Sequence, residues 1–321
     1  MARIDLVTPE ELETRLRDSL ERRELPDYFL YLGEAGTGNW LELDHSDDFP
    51  VARALTDLLA ASVPAIVRHL APETTLLSIG VGDGRKERLL LEAMAERGSP
   101  RYVAVDISSP MVDEALAAVA DLSIDSLGIT GFCDDLPVIR DHAEPPRLVA
   151  LLGNNFCNYE PDRLLALMAE ELGPDDLLLF DAHVLPGRAG DEAAWRSRVE
   201  RAYRSPANVR FNLGPLLAHG MEPEACSFRL DLLPLDTPQG EVLRTRKRID
   251  VLADARLRFP DGTVELTAGD TIAMGFTYKY SAPQVERRLR RHGFEILDRF
   301  TSEAADNLLV LTRPPSMRGA T

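Results

Sequence analysis

Between residues 75 and 184 one pattern repeats: a short run that is apolar along its whole length, then a segment with apolar residues at helical spacing. The runs fall at 75–80, 101–108, 128–133, 147–153 and 176–184, with helices expected at 85–96, 110–121 and 160–172. A strand apolar on both faces must be covered on both, and parallel strands need long crossovers, so the pattern predicts an α/β fold with a doubly wound sheet. After a helical "SAPQVERRLRRHGF", runs at 295–300 and "NLLVLTRP" return the chain to that sheet.

The flanks read differently. Residues 8–22 are amphipathic, with Thr8 as N-cap, Pro9 at the first helical position and Glu11 closing a capping box. The stretch "LPDYFLYLGEAGTGNWLELDHSDDFP" sets Tyr28, Phe29, Tyr31 and Trp40 among glycines and acids without a steady period, and is expected to be a covering loop. Helical spacing resumes from Pro50 to Leu70. Beyond residue 187 come a helical "EAAWRSRVERAYRSP", alternating strands at 226–235 and 241–254, and an Asp261-Gly262 turn that predicts a hairpin. The expected division is a core of 50–186 plus 276–321 and a smaller α+β lobe of 1–49 plus 187–275.

In a doubly wound sheet, ligands lie beyond the carboxyl ends of the strands where the strand order reverses. Gly80, Gly82 and Gly84 of "LLSIGVGDGRKERLL" follow the first core strand and precede a helix, which puts them there. A Walker phosphate loop is disfavoured because "GDGRKER" lacks the Ser or Thr after the lysine. Asp106 ends the next strand, 26 residues beyond Gly80, where an acid holds ribose hydroxyls in both nicotinamide and S-adenosylmethionine (SAM) enzymes. Asp83 inside the loop would repel a pyrophosphate, whereas SAM carries a sulfonium and an ammonium and no phosphate, so SAM is favoured. The third strand ends in "GFCDDLP", which offers Asp134 or Asp135 to an adenine amino group. Any one of these acids would serve equally as a solvated loop residue or helix cap. Three successive strand ends with suitable groups carry the cofactor assignment.

Charge and cysteine usage narrow the partners. With 53 acidic against 36 basic residues the formal net charge is −17, which works against nucleic acid or an anionic membrane. Cys133, Cys157 and Cys226 are odd in number and widely spaced, and the six histidines lack ligand spacing, so neither a disulfide framework nor a metal site is expected. No signal peptide and no apolar stretch approaching 18 residues is apparent, so a cytoplasmic location is expected. The oligomeric state is open, and nothing in the sequence requires more than a monomer.

Five segments together resemble the histidine-specific SAM-dependent methyltransferases of ergothioneine biosynthesis: "LLSIGVGDGRKERLLLEAM", "YVAVDISSPMVDEA", "LVALLGNNFCNYEP", "AYRSPANVRFNLGPLL" and "FTYKYSAPQVERRLRRHGF". The likeness runs from about residue 49 to 313, with a weaker match in the aromatic N-terminal segment. It implies a class I, Rossmann-like SAM domain and a substrate-binding lobe, in agreement with the division above. It also implies Gly80, Gly82 and Lys86 in the SAM loop, Asp106 and Ile107 at the ribose, the "CDD" stretch at the adenine, and Gly153 beside the methionine portion. Asn158 matches the asparagine that grips the substrate's amino group, and Tyr203 the tyrosine that contacts its carboxylate. Tyr31 and Phe49 fall at the substrate pocket, Phe49 where the family tends to have tyrosine. The family's "EIS" signature aligns with "GFT" when Lys279 of "KYS" is the anchor, so Gly275 stands for the glutamate and Thr277 for the serine. Loss of an acid and a phenol implies a more apolar pocket and a substrate other than histidine.

The resemblance implies an N-methyltransferase acting on the amino group of an amino acid or amino-acid-like small molecule. Two alternatives stay open: an enzyme of the same fold that uses SAM's aminocarboxypropyl arm and releases methylthioadenosine, and a non-catalytic SAM-binding protein.

Overall fold

A computed structural model describes residues 2–187, 190–237 and 240–315. Its centre is an eight-stranded sheet in the order 2–5, 125–130, 101–106, 75–79, 147–151, 177–183, 307–313, 295–301. Neighbours pair in parallel as far as Leu177–His183, and Asn307–Arg313 runs antiparallel to both strands it touches. From Thr75–Ile79 the chain first builds outward through Arg101–Asp106, then crosses to Arg147–Leu151 on the other side. The order therefore reverses between 75–79 and 147–151, and the loops that leave these two strands open a crevice.

Both faces are covered, as the apolar runs require. Alternate residues point to opposite sides: Leu77, Ile79, Val103 and Val105 pack with Leu164, Leu165, Val285 and Leu289, whereas Leu76, Tyr102 and Ala104 pack with Val63, Ile66, Leu90 and Leu91. All of these are buried, and each fully buried aliphatic side chain contributes roughly 1.5–3 kcal/mol. Pro50–His69 is, among the described residues, the one helix long and apolar enough to cross a membrane, which corrects the expectation that no apolar stretch reaches such a length. Its apolar face is occupied by the sheet, where Leu59, Val63 and Ile66 are buried.

The smaller sheet joins Tyr278–Lys279, Val242–Val251, Thr271–Met274 and Glu24–Leu25, with Cys226–Leu235 also paired to Val242–Val251. The hairpin expected at Asp261-Gly262 is present, pairing Ala255–Phe259 with Gly262–Leu266. The capped helix is present too, at Pro9–Glu21, with the Thr8 and Glu11 box formed.

Four further expectations need correction. Ala2–Asp5 pairs with Asp125–Thr130 as an edge strand of the large sheet, so residues 1–49 do not all go to the smaller lobe. Tyr278–Lys279 pairs with Leu243 and Arg244 and so belongs to the small sheet, although the return to the core was expected at 276. The third core strand is Asp125–Thr130, three residues earlier than expected; the Gly131 N–H still bonds to the Asp106 carbonyl at 2.9 Å, and the chain then enters the 3-10 turn Cys133–Asp135. Most of the segment 25–50 is helical, as a 3-10 turn Asp27–Tyr31 and a helix Gly33–Asp44. That helix has three glycines and no clean apolar stripe; contacts with the helix Pro206–Ala218, where Tyr31 and Trp40 meet Phe211, hold it instead.

Candidate functional site

The crevice at the strand ends opens into a cavity of about 370 Å³. Gly80, at φ +73°, turns the chain out of its strand, and a Cβ there would run into the Asn155 amide. That amide donates to the carbonyls of Gly80 (3.0 Å) and Leu152 (2.9 Å), so the two loops at the reversal are tied together. Gly84, at φ +74°, starts the helix Arg85–Ala95 and lies against backbone: an added Cβ would be 2.7 Å from Ala115 Cα. Glycine is required at both positions.

Of the residues expected at a cofactor, Gly80, Gly82, Lys86, Asp106, Ile107, Asp134 and Gly153 all line this cavity. Asp106 accepts from the Ser108 N–H at 2.9 Å, yet burial prevails and pushes its carboxyl up to about 6. Donors from a ligand would favour its charged form. Burial alone would lower Lys86, but Asp44, Glu87, Asp181 and Asp83 outweigh it and the ammonium is held above its usual range. The Gly153 loop is fixed from below by buried Asp181, which accepts from the N–H groups of Gly153 and Asn154. Of the two acids after the third strand only Asp134 lines the cavity, and its carboxylate pairs with Arg163 at 2.6 Å. Asp135 is turned back to accept from the Phe132 N–H at 2.8 Å, which corrects its expected place at the cavity.

A second cavity of about 80 Å³ adjoins the first and shares Asp27, Tyr31, Trp40, Asp44, Gly153 and Asn158 with it. Phe49, Tyr203 and Thr277 line the smaller cavity, and Gly275 the larger. Thr277 Oγ1 donates to Asn158 Oδ1 at 2.9 Å, which leaves that oxygen a second lone pair and the amide N–H groups for a ligand. Burial pushes the Tyr203 phenol up to about 12, so it is a neutral donor at physiological pH. The substrate residues expected from the sequence are therefore gathered around one junction, although they come from five separate segments.

The pocket is not simply more apolar, as loss of the glutamate implied. A Cβ on Gly275 would be 2.5 Å from Asp27 Cγ and 2.6 Å from its Oδ1, so a carboxylate from the N-terminal segment stands against that glycine. Lys247, 5% exposed, donates to Asp27 Oδ2, while Asp27 Oδ1 is buried without a partner. No sequence signal marks this pair, because 220 residues separate its members. Asp181 and Asn155 were missed for a related reason: they touch loops through the backbone, which no side-chain pattern records.

The chain matches the family described as histidine-specific, SAM-dependent methyltransferases over residues 11–314. It belongs to that family. The sheet order and the glycine loop are accordingly those of a class I SAM-dependent methyltransferase, and SAM is its cofactor. Histidine N-alpha-methyltransferase from Mycobacterium tuberculosis is 26% identical over 299 residues, 88% of each chain. A 4-dimethylallyltryptophan N-methyltransferase from Claviceps purpurea is 26% identical over 215 residues, 60% of this chain and 58% of that one. A solved, SAM-bound amino pentose methyltransferase from Micromonospora echinaspora aligns at 15% identity with a TM-score of 0.40, over 81% of this chain and 91% of its own.

Among the described residues, one group has the make-up of a metal site, Asp44, His45 and Asp83, with ligand atoms within 4.8 Å of one another. The Arg85 guanidinium already bonds to both carboxylates, supplying the positive charge a cation would bring.

Proposed function

We propose that this methyltransferase acts on the amino group of an amino acid or amino-acid-like small molecule other than histidine. The observation that carries this is the junction of the two cavities, where Asn158 and Thr277 are bonded to each other between a large cofactor-sized space and a small one closed by Tyr203. In this reading Asp106 holds the ribose hydroxyls with Ile107 beside them, and Asp134 lies near the adenine. Gly80, Gly82, Gly153 and Lys86 surround the methionine portion, the ammonium of Lys86 facing its carboxylate. SAM, when bound, supplies a methyl group on an electrophilic sulfonium.

What the protein contributes is chiefly alignment, because a neutral amine must reach that carbon at about 3–3.5 Å and in line with the bond that breaks. Asn158 Oδ1 accepts from the acceptor's amine and fixes its direction, while the Tyr203 hydroxyl donates to the acceptor's carboxylate. Gly275 and Asp27 support a substrate other than histidine, since the acid near the pocket now comes from another segment, pre-paired with Lys247. The test is product analysis with SAM and a panel of amino acids. Acceptor-dependent S-adenosylhomocysteine with an N-methylated amino acid is expected. Methylthioadenosine formed without any acceptor would overturn the methyl-transfer reading, and efficient methylation of histidine would overturn the substrate assignment.

A further inference from the structure

His183 and Lys279, which line the smaller cavity, belong to a hydrogen-bond chain that amine alignment leaves unused. Trp195, wholly buried on the helix Glu192–Tyr203, donates its indole N–H to His183 Nε2 at 3.1 Å. An indole nitrogen only donates, so Nε2 must carry a lone pair. Burial, with Lys279 and Arg198 nearby, holds His183 well below the usual imidazole range, so the ring is neutral and its one proton sits on Nδ1. That Nδ1 lies 3.3 Å from Lys279 Nζ. A protonated lysine has only hydrogens to present and would face an N–H, whereas a free lysine amine has the lone pair the N–H needs.

The surroundings act in the same direction. Lys279 is 2% exposed, and burial pushes its amine down to about 8. From Asn155–Asn158 it faces Cys157, whose thiol burial raises to about 12 and so keeps neutral. From Glu192–Tyr203 comes the neutral Tyr203 phenol, and from Asp27–Tyr31 and Val242–Val251 come Asp27 and Lys247, bonded to each other. Asp44, on Gly33–Asp44, is paired with Arg85. Lys279 lines the cavity that Asn158, Tyr203 and Thr277 also line.

We propose that Lys279 is a catalytic base that removes a proton from the acceptor's ammonium group, with His183 and Trp195 as positioning residues that keep its lone pair available. The proposal rests on the N-methyltransferase reading above. An amino group that is protonated has no lone pair and cannot be methylated. The ammonium N–H bond breaks, its electron pair stays on the acceptor nitrogen as the nucleophile, and the proton becomes the third hydrogen on Lys279 Nζ. Lys279 then returns that proton to water, so one proton is released for each methyl transferred. With His183 presenting an N–H, the charged lysine is poorly accommodated, and its release of the proton is favoured.

Two measurements decide it. In protein labelled with ¹³C at lysine Cε, the Lys279 resonance, assigned by its loss in Lys279→Gln, should titrate near 8. It should move up in Trp195→Phe; should that variant not fold, the native titration decides by itself. Titration near the ordinary lysine value of about 10.4 would overturn the proposal. With the acceptor found in the amino-acid panel, Lys279→Met should lose roughly 10²- to 10⁴-fold in kcat at neutral pH with SAM affinity unchanged. It should recover when the pH exceeds the acceptor amine's own pKa. Full activity in Lys279→Arg would make the residue a fixed cation and overturn the proposal. S-adenosylhomocysteine formed at the native rate by Lys279→Met would sink the base alone and leave the methyltransferase standing, whereas none formed by the native protein would sink both.

Discussion

A side chain at residue 275 cannot enter the pocket without moving Asp27. An added Cβ would lie 2.5, 2.6 and 2.9 Å from the Asp27 carboxyl atoms, roughly 1 Å inside ordinary contact. The carboxylate cannot swing away freely, since Oδ2 is held by Lys247, itself 5% exposed. Overpacking of this kind costs about 1–3 kcal/mol, and complete rupture of a buried ion pair about 3–5 kcal/mol, so Gly275→Ala is expected to destabilise by about 2 kcal/mol. Asp27→Ala is destabilising by itself, because Lys247 is left buried and unpaired. It also removes the atoms with which the new methyl collides, so adding Gly275→Ala to it should cost less than about 0.5 kcal/mol more. Urea unfolding of the native protein, both single variants and the double variant closes the cycle. Additive costs, or a neutral Gly275→Ala, would refute the claim that Asp27 takes the space of residue 275. The same geometry bears on conversion toward histidine: Gly275→Glu with Thr277→Ser should fail while Asp27 is in place, and needs Asp27→Ala or Asp27→Gly as well.

Asp106→Ala should weaken SAM binding by roughly 1.5–3 kcal/mol, the worth of charge-assisted hydrogen bonds, and unchanged affinity by calorimetry would remove Asp106 from the ribose. Asn158→Ala is expected to retain SAM binding and lose turnover, whereas Thr277→Val, which removes only the hydroxyl that bonds Asn158, should lose less; equal turnover in all three proteins would exclude the junction as the reacting site. Glu87 is buried with Oε2 unpartnered, and burial raises its carboxyl to about 7. An acid whose folded pKa is raised binds its proton more tightly when folded, so its contribution improves as pH falls through about 7 toward the unfolded value near 4.3, and is lost as pH rises. Glu87→Gln should flatten that part of the pH–stability profile, and an unaltered slope in urea titrations between pH 8 and pH 5 would contradict the assignment.

The strands at 75–79, 101–106, 147–151 and 177–183 were legible because burial on both faces leaves a continuous apolar run that sequence displays directly, whereas Asp125–Thr130, buried only over its second half, was placed three residues late. Glycines 80 and 84 were legible because backbone conformation and close approach restrict those positions to one residue type. The helix Gly33–Asp44 was not, since its stability comes from aromatic contacts with a segment some 170 residues away rather than from its own propensity or period. Asp134 and Asp135 look equivalent in sequence, and only the hydrogen bond from the Phe132 N–H separates the one that faces the cavity from the one that caps a turn.

The sheet apart from its edge strand Ala2–Asp5, its covering helices, the glycine turn at the reversal of strand order and the acid that follows it were thus already specified by the order of residues. All of these depend on periodicity or on backbone restrictions within a few residues. Which charges share the pocket was settled by packing. Asp27 meets Lys247 across 220 residues and occupies the space beside Gly275, and Trp195 reaches His183, which lies against Lys279. The electrostatics of a buried group depend on which partners surround it and on how little water remains, and neither is fixed until distant segments pack.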